Sequence, residues 1–452
     1  MSNATVSTNT EKKSLFQRLL NFKVNGMSVV AYLGLAIPIV VGMFTGVLGD
    51  DILSVMGLLF VTGILFSEIG KRLPIWKTWI GGGSMMAIMA PSFMVYMNWL
   101  PKKYVDSITL FYDDMSFLNL YIIVLMVGSL LSVNRTHLIK TLKRCGPVFL
   151  GVLVVGTIFG IIGGKIVGMP LGDILAYFVL PNLGGGNGAG AVPMSDIFNQ
   201  ITGLPADAYY AKALAILTLG STIALIFGVV LNSIGKKFPK LTGDGKTLLR
   251  DSSKSFQLEG AGEVEMKPSM IDIANAFVVA AGFYALANIF GKLLLPKIFG
   301  VILHPLAYLI LFLTLANILN IIPTSLRAGA KVLSEFIVEK MGPMCFAGMG
   351  IAITDFGEFV AAISFQNFFV CFMIILGVVV GAGLIGYLVG FYPIDSIIAA
   401  GLTCSNRGDS ADVILLSSTD RMGLMPYAQV LSRLGGAVVL ALCSTIFTIF
   451  FK

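Results

Sequence analysis

Residues 184–196 read GGGNGAGAVPMSD and follow directly on the apolar run ILAYFVLPNL (174–183). Five of these thirteen residues are glycines, and an asparagine, a proline and an aspartate stand among the rest. Unpaired backbone amides are costly in hydrocarbon, and glycine and proline weaken helices. Irregular backbone at membrane depth is tolerated where protein buries it or where it lines a wet cavity. The stretch therefore predicts a helix that is broken for a functional reason.

The composition around this stretch is that of a membrane protein. The chain has 452 residues, of which 56% are hydrophobic and 12% charged, with a mean hydropathy of +0.89. Soluble domains carry about 25% charged residues, and a membrane-spanning helix needs about 20 apolar residues. Apolar runs of that length recur along nearly the whole chain. The net charge of +7 therefore concerns orientation and anionic lipid, and no aromatic-rich basic patch indicates a nucleic-acid partner.

The hydropathy pattern predicts an all-α polytopic membrane protein with about 11 crossings and two re-entrant helical hairpins. The hairpins are expected at 171–203, around the glycine stretch, and at 392–424, where short apolar and polar stretches alternate. Neither segment spans cleanly, so each is expected to return to its starting side. The crossings are expected at 27–48, 52–67, 79–100, 117–133, 147–168, 211–234, 271–290, 300–322, 341–357, 366–391 and 425–450.

The distribution of basic residues sets the orientation. With the N-terminus in the cytoplasm, the loops expected inside hold 21 Lys and Arg, and the loops expected outside hold 5. Cytoplasmic loops of membrane proteins are enriched in these two residues. This split places the N-terminal tail (1–26), which has no cleavable signal pattern, inside and the C-terminus outside.

The order of crossings and hairpins predicts an internal repeat. After a first transmembrane helix at 27–50, five crossings with the hairpin 171–203 occupy 51–234, and five more with the hairpin 392–424 occupy 271–452. Because five is odd, the second set enters the membrane from the opposite side. The result is an inverted repeat, the usual build of secondary transporters, whose binding site lies at the midplane between broken helices.

Two further segments complete the plan. Residues 235–270 are polar, basic and glycine-bearing, and they are expected to form a cytoplasmic linker between the two halves. Apolar residues at helical spacing in 323–340 predict an amphipathic helix at the inner membrane face.

The first hairpin has the chemistry of an anion site. Its glycines let the backbone approach a ligand, and the helix that restarts after them points free N–H groups and a partial positive charge into the gap. Asn187 adds a side-chain donor and acceptor. The alternative is close packing of small residues, as in GxxxG pairs, although packing alone needs neither Asn187 nor the polar residues that follow. Asp196 is interpreted as a helix-start or loop carboxylate.

The second hairpin adds charge to this pattern. Arg407 interrupts an apolar context, and Arg433 follows about a third of the way into the last crossing. An arginine at membrane depth costs at least about 2.5–3.5 kcal/mol, so a counter-ion or a bound anion is expected. Two arginine forks near two helix N-termini predict a small multivalent organic anion. Two alternatives stay open: Arg433 snorkels to the interface, or Arg407 pairs internally with Asp409 or Asp412.

Other polar residues divide into candidate cation ligands and bystanders. The two histidines, His137 and His304, are interpreted as solvated or packed side chains, and Asp420 and Arg421 as surface loop residues. The five scattered cysteines have neither zinc nor disulfide spacing, and the sequence lacks the constellations that an enzyme would need. Oxygen ligands for a coupled cation are available near both hairpin centres on Asn187, Thr403, Ser405, Asn406, Ser410 and Ser432.

With these residues in view, the chain resembles the bacterial 2-hydroxycarboxylate transporter family, and within it the sodium–citrate symporters most closely. The glycine segment and SRLGG (432–436) are the most specific of the matching stretches, which extend across most of the chain. They are SEIGKRLPI (67–75), SVNR (132–135), GGGNGAGAVPMSDIF (184–198), YPIDSIIAAGL (392–402), NRGDSAD (406–412) and RMGLMPYAQVLSRLGG (421–436).

The resemblance implies sodium-coupled uptake of citrate, malate or a similar 2-hydroxycarboxylate across a bacterial cytoplasmic (inner) membrane, with no cofactor besides sodium as the coupling ion. It also implies a homodimer whose protomers each have a moving transport domain and a static dimerisation domain, and we expect elevator-type alternating access. The family's substrate-binding positions fall on Asn187, Gly188, Arg407, Ser410 and Arg433, the last expected to hold the carboxylate beside the hydroxyl. Its sodium positions fall on the backbone oxygens of Asn182 and Gly185, and on Asn187, Thr403, Cys404, Asn406, Ser410 and Ser432.

One motif departs from the family's pattern. Sodium–citrate members typically read NRGGSG where this chain reads NRGDSA (406–411). Asp409 would put a like charge beside a third substrate carboxylate, which makes malate as good a candidate as citrate. Arg407 favours sodium, because proton-coupled or exchanging members tend to lack it. Sodium-independent proton-coupled transport or substrate/product exchange is the alternative, and an anion channel would show uncoupled flux.

Overall fold

The computed structural model describes residues 23–451 apart from 75, 81, 113, 133–134, 246, 251–265, 296, 299–300 and 303. It is 82% helical, which confirms the all-α class. Besides a single bridge between Leu249 and Phe391, strands in the described residues form two short antiparallel ribbons. The ribbons pair Lys23–Val24 with Met27–Ser28 and Lys297–Ile298 with Val301–Ile302. Most of the N-terminal tail and the middle of the linker lie outside the described residues.

The helices follow one another through short connections, and several are continued by π-helical turns. In chain order they are α1 (Val29–Thr45), α2 (Ile52–Arg72), α3 (Gly82–Tyr96), α4 (Lys102–Tyr112), α5 (Phe117–Ser132), α6 (Arg135–Ile166), α7 (Leu171–Leu183), α8 (Val192–Thr202), α9 (Asp207–Lys237), α10 (Met270–Asn288), α11 (Pro305–Leu319), α12 (Thr324–Ser334), α13 (Gly342–Ala352), α14 (Phe356–Ala361), α15 (Phe365–Leu388), α16 (Pro393–Ser405), α17 (Asp409–Ser418) and α18 (Met425–Phe451). The π-helical turns include Trp76–Ile80, Asn187–Ala191, Ile289–Leu294 and Glu335–Lys340.

Five of the described helices are long and apolar enough to cross a membrane: α2, α9, α15, the Lys143–Ile166 part of α6, and α10 with its extension to Leu294. A sixth arises if α4 and α5, which are bent by 43° at a short break, form one span. Shorter apolar helices, among them α1, α11 and α13, lie within other expected crossings. The apolar helices support a membrane protein, and the number of eleven crossings stays a prediction.

Side-chain caps explain where two of the long helices begin. A carboxylate oxygen of Asp51 accepts hydrogen bonds from the N–H groups of Leu53 and Ser54 at the start of α2. Ser269 forms a capping box with Asp272 at the start of α10. Each cap satisfies backbone donors that a helix leaves open at its first turn. Both caps lie where the hydropathy pattern predicts that a crossing begins.

Three sets of helices form the body of the protein. Helices α6 and α15 pack along their length, α2 packs with α3 and α13, and α12 packs with α5 and α10. In α15, a Cβ added to Gly381 would lie 2.5 Å from the carbonyl oxygen of Gly151. A side chain at this position would therefore push α6 and α15 apart, as at the small-residue contacts of membrane helices. Helices α9 and α18 connect this α6–α15 pair to the two hairpins.

The amphipathic helix expected at 323–340 is present as α12 and its π-helical extension, but its buried face carries an arginine. Arg327 is only 5% exposed. Its Nε donates to the carbonyl of Leu131 at the end of α5 (3.0 Å), and its Nη2 donates to Oδ1 of Asn317 (2.9 Å). A cation at a helix C-terminus is favourable and satisfies an open carbonyl. The pattern of apolar residues predicted the helix but could not show that Arg327 faces inward.

The first part of the linker is docked and not free. The carbonyl of Leu248 accepts the N–H of Tyr392 (2.8 Å), and the N–H of Arg250 donates to the carbonyl of Gly390 (2.9 Å). The Arg250 guanidinium also donates to the Tyr387 carbonyl (2.7 Å) and lies 4.1 Å from the centre of its ring. The polar composition predicted a linker, and its described beginning is fastened to the start of the second hairpin.

Candidate functional site

The first hairpin consists of α7, an interruption at 184–186, a π-helical turn (Asn187–Ala191) and α8. Its two arms are in contact through side chains, since the ring centres of Tyr177 and Phe198 are 6.3 Å apart. At its base, the hydroxyl of Tyr209 donates to the carbonyl of Ala176 (2.9 Å). Helix α9 is thus bonded to the first arm of the hairpin.

The second hairpin consists of α16, an interruption at 406–408 and α17. Its ends are joined by an ion pair, in which Nε of Arg421 lies 2.7 Å from Oδ1 of Asp395. Thr242 and the N–H of Gly243, both in the linker, also donate to this carboxylate (2.8 Å each). Arg421 in turn donates to Oδ1 of Asn232 at the end of α9 (2.7 Å). The base of this hairpin is thus a buried polar network.

This network corrects one sequence-based interpretation. Arg421 is 5% exposed and Asp395 is fully buried, so the expectation that Arg421 lies in a surface loop was wrong. The neighbouring Asp420 does lie at the surface, with 76% of its side chain exposed. Arg421 is held inside because its partners come from distant parts of the chain, which the polar stretch around it does not reveal.

The two interruptions have the same backbone conformation. Gly186 has φ +100° and ψ −166°, and Gly408 has φ +90° and ψ −170°. This region of backbone space is essentially restricted to glycine. Each glycine immediately precedes a helical segment, so the first backbone N–H groups of both segments begin at an interruption. Such N–H groups suit an anion.

The two interruptions also touch each other. The N–H of Asn187 donates to the carbonyl of Arg407 (3.3 Å). A Cβ on Gly186 would lie 2.5 Å from the same carbonyl oxygen, and a Cβ on Gly185 would lie 2.9 Å from the carbonyl oxygen of Ser432 in α18. The glycine stretch therefore packs closely and also brings the hairpin centres together, so close packing explains part of it.

Asn187 and Gly188 sit at the centre of the first hairpin. The side chain of Asn187 is half-buried, and its Oδ1 accepts a hydrogen bond from the hydroxyl of Tyr210 in α9 (2.9 Å). A Cβ added to Gly188 would lie 3.2 Å from both the Tyr121 hydroxyl and a methyl group of Leu125. Helix α5 therefore covers Gly188, whereas the Asn187 amide is held from α9. Tyr210 and Tyr121 were not identified from the sequence, where buried tyrosines in apolar helices carry no distinctive signal.

Asn406 and Arg407 form the centre of the second hairpin. Asn406 is 3% exposed, its Oδ1 accepts the N–H of Gly408 (2.7 Å), and its Nδ2 donates to Oδ1 of Asp412 (2.7 Å). The guanidinium of Arg407 donates to the carbonyl of Ile80, which lies between α2 and α3. A small cavity beside α9 takes its polar lining from Ser221, Asn406 and Arg407.

Several of the expected sodium ligands are buried near the interruptions. Asn182 is fully buried; its Nδ2 donates to the carbonyl of Phe178 (2.9 Å), and its Oδ1 has no hydrogen-bond partner among the described residues. Ser405 is likewise fully buried, and its hydroxyl has no partner within the part of the chain that the structure describes. Thr403 is fully buried, and its hydroxyl donates to the carbonyl of Ala399 (3.0 Å). Cys404 and Ser432 are also buried.

Three residues expected at the site are placed by their backbone alone. Asp409 and Ser410 form the start of α17, and Arg433 lies about a third of the way along α18. Their side chains lie outside the described part of the structure. The roles assigned to these three side chains stay predictions.

Asp196 and His304 lie near the first hairpin but away from its centre. Asp196 lies within α8 and not at a helix start or in a loop, and its Oδ2 accepts from Gln200 (3.0 Å). The other end of that amide, Oε1 of Gln200, is 2.7 Å from Nε2 of His304. His304 is buried and accepts the N–H of Leu306 at the start of α11. The interpretation of His304 as a packed histidine is confirmed, whereas the side chain of His137 lies outside the described residues.

The sequence matches the model of the 2-hydroxycarboxylate transporter family over residues 24–445. A citrate/sodium symporter of Salmonella typhimurium is 39% identical over 448 residues, 99% of each chain. A Na(+)-malate symporter of Bacillus subtilis is 31% identical over 450 residues, 98% of this chain and 96% of its own. The citrate transporter CitP of Lactococcus lactis is 28% identical over 440 residues, 97% of each chain. These matches confirm the resemblance, and they are to transporters and not to enzymes.

Proposed function

Because the chain belongs to the 2-hydroxycarboxylate transporter family, we propose that it is a secondary active transporter that couples uptake of citrate or malate to sodium. The observation that carries this proposal is the contact between the two hairpin centres, where the N–H of Asn187 meets the carbonyl of Arg407. A single site built from two broken helices is the arrangement that secondary transporters use at the membrane midplane. It places anion donors and cation acceptors within one small region.

The substrate is proposed to bind between the two helical segments that restart after Gly186 and Gly408. Asn187, Gly188, Arg407, Ser410 and Arg433 are the proposed contacts. Helix N-termini and arginine forks both favour carboxylates, and a dry site strengthens each interaction. Asp409 begins α17, at the position where a third substrate carboxylate would meet a like charge. We therefore rank malate as no weaker a candidate than citrate.

Sodium is proposed to bind beside this anion site through oxygen atoms of the same interruptions. Buried polar atoms in proteins are nearly always hydrogen-bonded. The unpartnered Oγ of Ser405 therefore fits a cation that is bound during transport. The remaining proposed ligands are the backbone oxygens of Asn182 and Gly185, together with Asn187, Thr403, Cys404, Asn406, Ser410 and Ser432. Sodium ions here would offset the repulsion that a dianion meets in a site of low dielectric constant.

The movement that carries the loaded site across the membrane is proposed to be an elevator motion within a homodimer. The packing of helices supports an inverted repeat, because equivalent partners recur in both halves. Helix α2 packs on α3 as α10 packs on α11, α13 packs on α4 as α5 packs on α12, and α6 packs on α15 near the centre. The hairpins, α6, α9, α15 and α18 would form the moving part. The empty and fully loaded states must cross readily and the partly loaded state must not.

Uptake of radiolabelled malate and citrate into proteoliposomes, with and without an inward sodium gradient, tests the proposal. We expect sodium-dependent accumulation that Arg433→Ala abolishes and that Lys236→Ala, which alters a mostly exposed lysine, leaves intact. If more sodium than anion charge moves, each excess charge adds about 2.3 kcal/mol per 100 mV, so an inside-negative potential would accelerate uptake. Equal flux without sodium, unaffected by Arg433→Ala, would contradict the proposal and favour a channel. Acceleration by internal substrate alone would favour an exchanger.

A further inference from the structure

Tyr210 holds the side chain of the central asparagine of the first hairpin. It lies in the first turns of α9 and is fully buried. Its hydroxyl donates to Oδ1 of Asn187 (2.9 Å) and lies 4.0 Å from the sulfur of Met349 in α13. Because Tyr210 is fully buried, its hydroxyl is restricted to partners within the protein.

The bond fixes the orientation of the Asn187 amide. An asparagine amide carries one acceptor oxygen and one nitrogen with two donor hydrogens. Because Oδ1 faces the Tyr210 hydroxyl, Nδ2 with its two donor hydrogens points away from that hydroxyl. Donors suit a carboxylate or a hydroxyl oxygen, whereas a cation needs acceptors.

We propose that Tyr210 is a positioning residue that orients the Asn187 side-chain amide so that its Nδ2 donors face the anionic substrate. This inference rests on the proposed function and makes it sharper.

The chain offers a matched control in the adjacent residue. Tyr209 is also fully buried, and its hydroxyl also donates to an oxygen at 2.9 Å, the carbonyl of Ala176 at the hairpin base. Tyr210→Phe and Tyr209→Phe each remove one buried hydroxyl from the same helix with almost no change in volume. A loss of fold or packing would therefore affect both variants alike, whereas a loss of amide positioning would affect only Tyr210→Phe.

The experiment measures initial uptake rates of malate and citrate in proteoliposomes at saturating sodium for wild type, both tyrosine variants, Asn187→Ala and the double variant Asn187→Ala/Tyr210→Phe. We expect Tyr210→Phe to raise KM about fivefold to twentyfold, the effect of one buried hydrogen bond, with the maximal rate within about twofold of wild type. Tyr209→Phe should keep KM within about twofold. In the Asn187→Ala background, Tyr210→Phe should have no further effect, because the group that it positions is gone.

Two outcomes would overturn the inference. In the first, wild type transports but the two tyrosine variants have the same KM. In the second, the double variant has a higher KM than Asn187→Ala alone. Either outcome would show that Tyr210 does not act through Asn187. If wild type transports neither acid, the proposed function fails and this inference fails with it. The wild-type arm thus separates the two failures. The amount of monodisperse purified protein for each variant checks that folding is matched.

Discussion

Gly186 in the first hairpin and Gly408 in the second have almost the same backbone angles, yet the side chains around them differ in charge. The first centre holds glycines and the neutral Asn187, whose amide is fixed by Tyr210 from α9. The second holds Arg407, and its Asn406 bonds within its own hairpin to Gly408 and Asp412. The backbone break is thus common to both hairpins, and the ionic chemistry is concentrated in one of them.

The bases of the two hairpins also differ in charge, and the ionic groups again belong to the second hairpin. Aromatic rings close the first base, where the ring centre of Phe198 lies 5.2 Å from the ring centres of both Tyr209 and Phe447. The buried pair of Asp395 and Arg421 closes the second. An aromatic cluster tolerates small displacements, whereas a buried ion pair requires both partners. We therefore expect the second hairpin to be the more sensitive to substitution at its base, and the first to be the more sensitive at its centre.

The largest effect is expected at the second base. Asp395→Ala leaves the Arg421 guanidinium buried without its counter-ion, which should lower the free energy of unfolding by about 3–5 kcal/mol. Reversible unfolding of purified protein in mild detergent measures this difference. The double variant Asp395→Leu/Arg421→Met removes both charges but leaves Thr242, the Gly243 N–H and Asn232 without these partners, so it should recover only part of the loss. A loss below about 1 kcal/mol in Asp395→Ala would show that the ion pair does not hold the hairpin closed.

The next effect compares the two centres. Gly186→Ala places a Cβ 2.5 Å from the Arg407 carbonyl oxygen, whereas at Gly408 the nearest contact of a Cβ is 3.5 Å away, at the Gly185 carbonyl oxygen. Both substitutions carry backbone strain of about 1–3 kcal/mol, and only the first adds a clash between the two hairpins. We expect Gly186→Ala to reduce substrate uptake about a hundredfold and Gly408→Ala about tenfold. Equal losses would mean that the contact at Gly186 is unimportant for transport.

A smaller effect is expected at the first base. Tyr209→Phe removes one buried hydrogen bond to the Ala176 carbonyl but keeps the ring, so the free energy of unfolding should fall by about 1 kcal/mol. The same unfolding assay detects it, with Phe447→Leu as a variant that alters the cluster without touching a hydrogen bond. A loss as large as that of Asp395→Ala would remove the difference between the two bases.

The smallest effect is expected at the surface of the second hairpin. Asp420 lies 3.5 Å from Lys236, and both side chains are mostly exposed, so the pair should contribute close to nothing. Asp420 has φ +58°, a conformation that asparagine also tolerates. Asp420→Asn should therefore change the free energy of unfolding by less than about 0.5 kcal/mol. A larger change would mean that the surface of this hairpin base is also coupled to its buried network.

The sequence predicted the breaks because their signals are local. Glycine and polar residues inside apolar runs mark 184–190 and 406–410, and the expectation that both breaks meet is supported by the bond between Asn187 and Arg407. Helix starts at Asp51 and Ser269 are local signals too. Crossing lengths were harder to predict, since α13 is an apolar helix of only 11 residues within an expected crossing.

The residues that sequence reasoning missed have partners far away in the chain. Arg421 binds Asn232, which is 189 positions away, and Arg327 donates to Leu131, which is 196 positions away. Tyr210 reaches Asn187 across the turn between α8 and α9, and nothing in its neighbourhood distinguishes it from Tyr209. Burial of these groups is decided by tertiary packing, which the hydropathy of a local window does not contain.

The claim that the two hairpin centres form one substrate site is tested most directly by a double-mutant cycle on malate binding at saturating sodium. Calorimetry on purified wild type, Asn187→Ala, Arg407→Ala and the double variant gives four dissociation constants. We predict that each single substitution weakens binding at least about tenfold and that the double variant departs from additivity by about 1–3 kcal/mol, as for residues that share a ligand. Additive losses, or full affinity in either single variant, would contradict a shared site.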